Sequence, residues 1–485
     1  MANVCIYNDI WFSEVLKKFG FFQSETLKNC FIMILDDIIY ISLLCSSVAL
    51  APIIRNVPNL HNRKLFSTIT GLVVVFIVSG FHIIHPLFVT FINALILLIC
   101  SRRVCHIVSA IFCFVYLAFF RSTHYFGLPI PPPHTNAIQM ILTLKMVGIA
   151  FEIKEEEELQ AKDPNSEIQI KYRKIKPSFF DVFHYAFCIA GVLIGPYYKY
   201  RTFSDMFYLP YSSYVPANRY LIQRIQIVPF YVLLYLVGNF LYPLELASSP
   251  ELLKQPFWYR VYYMTPSFFN FRMRIYAGFI LGECVCIAMG LGAYPKSSNP
   301  LPGAGPTNYA ALEELEKKQS WSSVEYSFET VNNIYEYGSE FWPTIREGIR
   351  AWNRTVQYWL ACFVYKRLKA PKPVKMLITM MVSSFWHGVH PGYYLCLCSA
   401  PLFLFVEMEV EKAMSKHATY LQHVLFDWIW WVIKMQSFSY MGMAFLLLDI
   451  QSCLHFWKSI YFCGHIFIIL IYFVAFWFNK KEKKD

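Results

Sequence analysis

The sequence predicts an all-α, polytopic membrane protein, and its composition is the first reason. Of the 485 residues, 56% are hydrophobic, 18% are aromatic and only 15% are charged. Such a chain is more apolar than an ordinary soluble protein. The second reason is that apolar runs of spanning length, roughly 20 residues for a ~30 Å hydrocarbon core, recur along the whole chain. By that length criterion they predict about ten or eleven transmembrane helices.

The apolar runs fall into three groups that polar stretches separate. The first group comprises residues 31–51, 66–82, 86–100, 104–120 and 135–151, and the second comprises 179–197, 225–246, 257–271 and 275–294. The third comprises 356–365, 376–385, 393–406, 425–435, 440–450 and 460–478. Several runs of the third group have a length of about 10–14 residues, which is typical of re-entrant or buried core helices. Because irregular backbone at membrane depth lines a cavity or packs in protein, re-entrant or broken elements around a central catalytic cavity are predicted there.

Two polar stretches and the chain ends complete the predicted organisation. Residues 152–178, with the acidic run Glu155 to Glu158, indicate a solvated loop. Residues 296–350 predict a surface loop and then an interfacial amphipathic helix over 309–319. We therefore expect an N-terminal segment at 1–30, a polytopic membrane domain at 31–478 and a basic cytosolic tail at 479–485.

The net charge of +11 lies largely in short loops and at the C-terminus, in clusters such as 55–64, 366–375 and 480–484. Basic clusters beside apolar spans mark the cytosolic side, so a cytosolic C-terminus is predicted. The clusters do not form one stripe, which argues against nucleic acid and favours the lipid bilayer as partner. Lys481 and Lys483, fifth and third from the end, resemble a dilysine retrieval signal of the endoplasmic reticulum, although a generic basic stop is the alternative.

An amide and an imidazole in apolar sequence carry the expected chemistry. Asn353 follows Trp352, and His387 follows Trp386 34 residues later. Histidine has the side chain whose unperturbed pKa lies nearest neutral pH, so in an apolar site it is a candidate proton acceptor. A neutral amide can donate to a developing oxyanion or hold an acceptor in place. The pair indicates acyl transfer to a hydroxyl, and without a Gly-x-Ser-x-Gly elbow the transfer is expected to be direct.

Other interpretations of these residues stay open. His387 can be a structural histidine whose hydrogen bonds are satisfied in the core. His387 and His390 together would supply only two metal ligands, and no third is evident, so no metal is predicted. The triplet Asn353-Arg354-Thr355 is also an N-glycosylation sequon. Lys199 and Arg201, interleaved with aromatics after a span, suit an anionic headgroup or a CoA phosphate, and interfacial snorkelling explains them equally well.

Three charged residues lie within apolar sequence of the second group, namely Arg272, Arg274 and Glu283. Charges at membrane depth usually pair or face a water-filled path, so each is expected to have a partner. Trp352 and Trp386, which precede the amide and the imidazole, are expected to contribute to substrate binding.

With these residues in view, the chain resembles the membrane-bound O-acyltransferases, and within them the branch that acylates lysophosphatidylinositol. The similarity covers nearly everything after about residue 65 and includes 131–152, 195–202, 271–295, 350–360, 385–394 and 461–463. By this resemblance, Asn353 in Arg350-Ala351-Trp352-Asn353 and His387 in Phe385-Trp386-His387-Gly388 correspond to the family's asparagine and histidine. The segment before about residue 30 and the loop at 296–319 depart from the family.

The resemblance implies an endoplasmic-reticulum enzyme that moves a polyunsaturated acyl chain, arachidonoyl, from acyl-CoA to the sn-2 hydroxyl of lysophosphatidylinositol. It implies no cofactor besides acyl-CoA as co-substrate. A member that accepts another lysophospholipid or a peptide would share both catalytic residues, although the segments around Gly195 and Phe271 argue against a peptide. A transporter is the alternative from another class; it would show half-sequence symmetry or a continuous polar line through several spans, and the sequence has neither.

Overall fold

The computed structural model describes residues 25–162, 171–209, 214–247, 249–319, 321–417 and 420–481. The chain divides into two compact units, of which unit 1 comprises Met1–Ile225 and Leu281–Val331, and unit 2 comprises Gln226–Ile280 and Asn332–Asp485. Most of the predicted N-terminal segment and the last four residues of the predicted tail lie outside the described residues.

The described residues are almost entirely helical. In chain order the first helices are α1 (Glu25–Arg55), α2 (Leu60–Ser79), α3 (Ile84–Ile99), α4 (Cys105–Arg121), α5 (Pro133–Lys162), α6 (Phe179–Ala186), α7 (Tyr200–Tyr208) and α8 (Ala217–Ile225). Next come α9 (Val228–Leu241), α10 (Leu244–Ala247), α11 (Pro250–Leu253), α12 (Phe257–Met289), α13 (Tyr309–Lys318), α14 (Glu336–Phe341) and α15 (Ile345–Ala351). The last are α16 (Arg354–Phe363), α17 (Lys372–His387), α18 (Pro391–His417), α19 (Tyr420–Leu447), α20 (Ile450–Ser459) and α21 (Cys463–Lys481). One antiparallel pair of two-residue strands, β1 (Tyr294–Pro295) and β2 (Tyr326–Ser327), completes the described secondary structure apart from short 3-10 turns.

Six helical stretches in the described part of the chain are long and apolar enough to cross a membrane. They are Asp37–Arg55, Leu60–Ile99, Pro133–Ala161, Ala217–Leu241, Pro391–Met414 and Cys463–Lys480, and Cys105–Arg121 is a shorter apolar helix. The all-helical, polytopic class predicted from composition is therefore confirmed.

Helix α5 forms the core of unit 1. Within its apolar window 83% of the residues are buried, against 33% for Asp37–Arg55, so most faces of α5 contact protein. Its backbone carbonyl at Met146 accepts hydrogen bonds from Asn93 of α3 and Ser109 of α4, and Ser109 also donates to Asn93. These bonds satisfy buried polar groups at the point where the three helices pack.

The predicted span at 179–197 is wrong in its second half. Helix α6 ends at Ala186, and the residues that follow up to Tyr198 are almost wholly buried yet non-helical. Gly191 and Gly195 have φ angles of +75° and +90°, which only glycine adopts without strain. Hydropathy identified the burial of this segment correctly, but burial alone does not distinguish a helix from an irregular segment packed inside the protein.

Two pairs of predicted spans are single helices. Residues 257–271 and 275–294 were expected as two elements, but α12 runs through the first and continues to Met289 in the second, and the intervening Arg272 is paired with Glu340. Residues 425–435 and 440–447 likewise belong to α19, where the Ser439 hydroxyl donates to the carbonyl of Met435 within the helix.

The two polar stretches are less exposed than predicted. Residues 152–162 continue α5 rather than forming a loop, and Glu152 and Glu156 are buried on it. Between 296 and 350, Trp321 and Thr330 are buried, so this stretch is not simply a surface loop. The helix predicted at 309–319 is confirmed as α13, whose first turn is capped by the side chain of Asn308.

Glu407 of α18 anchors α15 in unit 2. Its buried carboxylate accepts hydrogen bonds from the backbone N–H groups of Ile345 and Arg346 at the start of α15, and from the indole of Trp430 at 2.9 Å. An anion at a helix N-terminus satisfies N–H groups that have no partner within the helix. Because α15 ends at Ala351, this contact fixes the segment that leads into Trp352 and Asn353.

Candidate active site

His387 is the last residue of α17, and the sequence after it explains why the helix ends there. The N–H of Gly388 donates to the carbonyl of Ser384 at 2.9 Å, and the chain then turns through two residues before α18 begins at Pro391. A Cβ atom at Gly388 would collide with the ring of Tyr393. The glycine thus permits a close turn that holds the imidazole at the junction of two helices.

The His387 ring is half-buried among aromatic rings. Its centroid lies 4.8 Å from that of Trp386, 5.1 Å from that of Phe445 and 5.9 Å from that of Tyr393. Trp386 is itself buried, whereas His390 three residues on is exposed. Apolar rings on several sides keep bulk water from the imidazole, and this environment suits a side chain that must exchange a proton with a substrate.

Asn353 lies between α15 and α16 in the left-handed backbone region, with φ +45° and ψ +49°. Asparagine tolerates this conformation better than most residues. The following N–H, of Arg354, donates to the carbonyl of Asn333 at 2.7 Å and holds the turn. The Oδ1 atom of Asn353 is buried and has no hydrogen-bond partner in the described part of the chain. This atom is therefore a candidate acceptor for a group of a bound molecule.

The glycosylation interpretation of this triplet is disfavoured by the structure. Thr355, which completes the sequon, is fully buried, and its hydroxyl donates to Oδ1 of Asn333 at 2.5 Å. A glycan acceptor lies on an accessible loop, whereas this threonine is part of the packing that fixes Asn353.

Helix α12 connects the surroundings of the two residues. Trp352 packs against Tyr276 and Phe279 of α12, with ring centroids 5.5 and 6.1 Å apart. Phe271 of the same helix contacts Phe445 at 5.6 Å, the ring that meets His387 edge-on. Neighbours of both predicted catalytic residues, Trp352 and Phe445, thus contact one stretch of α12.

A buried polar network adjoins this stretch. Arg272 forms a two-bond pair with Glu340, at 2.8 and 3.2 Å, and the hydroxyl of Tyr276 donates to the same carboxylate at 2.6 Å. Lys434 of α19 is buried and donates to three backbone carbonyls, those of residues 339, 340 and 342. Because Tyr276 also contacts Trp352, the network supports the segment that carries Asn353.

Sequence reasoning found Arg272 but not its partners. Glu340 lies 68 residues from Arg272 and within a stretch predicted to be a surface loop, so no local pattern links the two. Lys434 interrupts an apolar run at 425–435, and a lone lysine in such a run is the signal that could have identified it. Glu283, also expected to have a partner, pairs with Arg224 at 2.6 Å within unit 1.

Lys199 and Arg201 belong to unit 1 and are held by local contacts. Arg201 forms an ion pair with Asp205 at 2.7 Å and donates to the carbonyl of Lys174 at 2.9 Å. Glu152 of α5 accepts from the backbone N–H groups of residues 200 and 201, which fixes the start of α7. Burial raises the pKa of Asp205, although Arg201 acts in the opposite direction. Both basic residues are partly exposed.

Among the described residues, no group of three or more His, Cys, Asp or Glu side chains could hold a metal ion.

Comparisons with known proteins place this geometry in context. Residues 134–451 match the model of the MBOAT, membrane-bound O-acyltransferase family. The chain is 34% identical over 453 residues to the membrane-bound acylglycerophosphatidylinositol O-acyltransferase of Xenopus laevis, covering 91% of this chain and 93% of that one. It is 38% identical over 400 residues to the human protein of that name, with 81% and 84% covered. The Drosophila melanogaster relative is 36% identical over 475 residues, with 93% and 94% covered.

Proposed function

Because this chain belongs to the membrane-bound O-acyltransferase family, we propose that it transfers an acyl group from acyl-CoA to the free sn-2 hydroxyl of lysophosphatidylinositol. The names of the relatives, which act on acylglycerophosphatidylinositol, support this acceptor. The observation that carries the mechanism is the buried, unpartnered Oδ1 of Asn353 together with the aromatic surroundings of His387. The preferred donor is arachidonoyl-CoA.

In the proposed reaction, His387 acts as the general base. Its unprotonated ring nitrogen accepts the proton of the acceptor hydroxyl while the hydroxyl oxygen attacks the thioester carbonyl. The tetrahedral intermediate collapses with cleavage of the carbon–sulfur bond, and the imidazolium returns the proton to the CoA thiolate. General base catalysis of this kind contributes about 10²–10⁴-fold to the rate. The products are the diacyl phospholipid and free CoA.

Asn353 is proposed to orient the acceptor. Its Oδ1 can accept a hydrogen bond from a lysolipid hydroxyl other than the attacking one, whose single proton goes to His387, and its left-handed turn keeps the amide in place. Orientation of reacting groups is worth much in a ternary transfer, since a shift of about 1 Å can lower the rate about 10²-fold. Trp352 and Trp386 border the site, and we propose that they contribute to substrate binding.

The predicted ten or eleven spans remain our proposal for the topology. Eleven helices of the described chain have 14 or more residues, namely α1 to α5, α9, α12, α17, α18, α19 and α21. We propose that they form the membrane domain at 31–478, with the catalytic residues around a cavity within it. The tail at 479–485 is proposed to be cytosolic and to retain the protein in the endoplasmic reticulum, as an epitope-accessibility assay after selective permeabilisation would show.

Acyl-CoA is proposed to enter from the cytosol and the lysolipid from the bilayer. CoA is a soluble polyanion that does not partition into hydrocarbon, whereas a lysolipid already lies in the leaflet. Lys199 and Arg201 are proposed to contact an anionic group of a substrate. Asp205 forms an ion pair with Arg201, so part of the Arg201 charge is already neutralised.

The test is an assay of the purified protein with a panel of lysophospholipids and acyl-CoAs. We expect the highest kcat/KM for lysophosphatidylinositol with arachidonoyl-CoA, and lower values with serine or choline headgroups. A preference for another lysolipid would overturn the acceptor assignment. Absence of ester formation with every pair, in protein that is folded, would overturn the enzymatic function.

A further inference from the structure

A cavity of about 280 Å³ in unit 1 contains none of the residues proposed for acyl transfer. Its walls are the end of α1, with Pro52 and Arg55, the adjoining Asn56, and residues 215–219 at the start of α8. Arg55 donates to the carbonyl of Val215 at 2.9 Å, and this bond ties the two walls together. The cavity is thus built from two elements that are far apart in sequence and fixed to one another.

The cavity lies where two candidate membrane spans end. Arg55 is the last residue of the apolar stretch Asp37–Arg55, and Ala217 is the first residue of the stretch Ala217–Leu241. Such ends reach the depth of the lipid headgroups. The basic cluster at 55–64 predicts that this end faces the cytosol.

The lining is rich in hydrogen-bond donors and positive charge. Arg55 and Arg219 contribute guanidinium groups, Asn56 and Asn218 contribute amides, and none of the described lining residues is Asp or Glu. The positive end of the α8 dipole lies at Ala217 and adds to the same field. Guanidinium groups bind phosphate oxygens through charge-assisted, often paired hydrogen bonds.

We propose that this cavity binds the phosphate of an anionic phospholipid headgroup in the cytosolic leaflet. Ligands of drug size occupy cavities of about 300–1,000 Å³, so a cavity of about 280 Å³ suits a phosphate-bearing headgroup rather than a whole CoA nucleotide. A lipid that already lies in the leaflet would present its phosphate at this depth without leaving the membrane. The site binds a lipid as a ligand, and its occupancy does not require that the lipid be a substrate.

The experiment measures binding instead of turnover. Wild-type protein in neutral detergent is titrated with phosphatidic acid in mixed micelles, and the rise in Tm reports ligand binding to the folded state. The test variant is Arg219→Gln, at an exposed position, and the matched control is Arg103→Gln, another exposed arginine of unit 1. Because one arginine near a membrane surface contributes about 1 kcal/mol to anionic-lipid binding, we expect Arg219→Gln to need roughly five-fold more phosphatidic acid.

The wild type and Arg103→Gln are expected to share one titration curve, and phosphatidylcholine is expected to give a much smaller rise in Tm. If Arg219→Gln does not fold, Asn218→Asp introduces a negative charge at the same wall and is expected to weaken binding similarly. An unchanged phosphatidic acid curve in the folded test variant overturns the site. If Arg219→Gln leaves the phosphatidic acid curve unchanged but weakens the Tm rise that CoA or inorganic phosphate gives, the cavity takes a soluble phosphate and the lipid assignment is wrong. An equal shift in Arg103→Gln would indicate unspecific surface charge.

Discussion

Lys145 in unit 1 and Asn353 in unit 2 both bring polar groups into apolar surroundings, but they differ in their partners. Lys145 is fully buried, and its ammonium donates to the hydroxyl of Tyr198 at 3.0 Å and to the carbonyl of Tyr185 at 3.3 Å. It also lies 4.5 Å above the Tyr198 ring. By contrast, Oδ1 of Asn353 is buried without a partner among the described residues.

We propose that the difference separates a structural polar group from one that takes part in the reaction. The buried ammonium of Lys145 has its hydrogen-bond partners and holds the irregular segment after α6. Loss of this side chain is therefore expected to lower the stability of the fold. A buried acceptor without a partner destabilises a fold by about 1–3 kcal/mol, and we propose that at Asn353, which lies beside the aromatic Trp352, a substrate supplies the missing bond. The same criterion can be applied to variants, since loss of the first kind of group lowers stability and loss of the second lowers the rate.

The largest expected effect is on catalysis by His387→Ala. Loss of the general base removes a contribution made in the transition state, so kcat should fall by about 10²–10⁴-fold with little change in KM. The measurement is the rate of lysophosphatidylinositol acylation by detergent-purified, monodisperse protein.

His390→Ala is the matched control for that variant, because His390 is exposed on the same turn. It should keep near wild-type activity. An equal loss in both variants would mean that the turn as a whole matters, and substantial turnover by folded His387→Ala would contradict its role as base.

The second effect is on stability, at Lys145. Lys145→Ala removes a fully buried side chain and its hydrogen bonds, and by analogy with other large-to-small core substitutions we expect a loss of about 2–5 kcal/mol. Lys154→Ala, on the same helix but only half-buried, should change stability far less. Thermal unfolding of the purified variants gives the comparison, and similar Tm values for both would show that the buried lysine does not support unit 1.

The third effect is on the rate, at Asn353. We expect Asn353→Gly to lower kcat about 10²-fold, because the acceptor loses its orienting bond. Glycine is the informative replacement, since φ is +45° at this residue and glycine adopts that conformation readily. Asn353→Ala should lose as much activity and, in addition, about 1–2 kcal/mol of stability through left-handed strain. Normal activity of Asn353→Gly would contradict the orienting role of the side chain and would mean that Asn353 serves only to form the backbone turn.

The smallest effect is expected at Lys199. Lys199→Gln should raise the KM for acyl-CoA or for the lysolipid a few-fold at low salt with little change in kcat, as expected for uniform binding. The increase should shrink at high ionic strength, because salt screens an exposed charge. A KM that is unchanged for both substrates would remove Lys199 from the substrate site.

Much of this structure followed from the sequence because the bilayer imposes simple rules. Composition and run length predicted the helical, polytopic class. The amphipathic pattern at 309–319 likewise predicted α13. In each case the determining contacts are local or depend only on average hydropathy.

The errors arose where distant residues decide the outcome. The segment after Ala186 is apolar enough for a span, but the helix ends at Ala186, and contacts with Lys145 of α5 hold the irregular segment that follows. Arg272 donates to the carboxylate of Glu340, and Lys434 donates to the backbone carbonyl of the same residue. The three residues are far apart in the sequence, so no local pattern predicts that they meet. The Oδ1 atom of Asn353 is buried without a hydrogen-bond partner among the described residues. Its burial results from tertiary packing, which the neighbouring sequence does not predict.

The most direct test of the central claim compares Asn353→Gly and Lys145→Ala in one experiment. For each variant the Tm and the acylation rate per folded molecule, with arachidonoyl-CoA and lysophosphatidylinositol, are measured on the same preparation. We expect Asn353→Gly to keep a Tm near that of the wild type and to have a much lower acylation rate. We expect Lys145→Ala to have a lowered Tm and a nearly normal acylation rate per folded molecule. A normal rate in Asn353→Gly, or a loss of rate in folded Lys145→Ala as large as that in Asn353→Gly, would contradict the central claim.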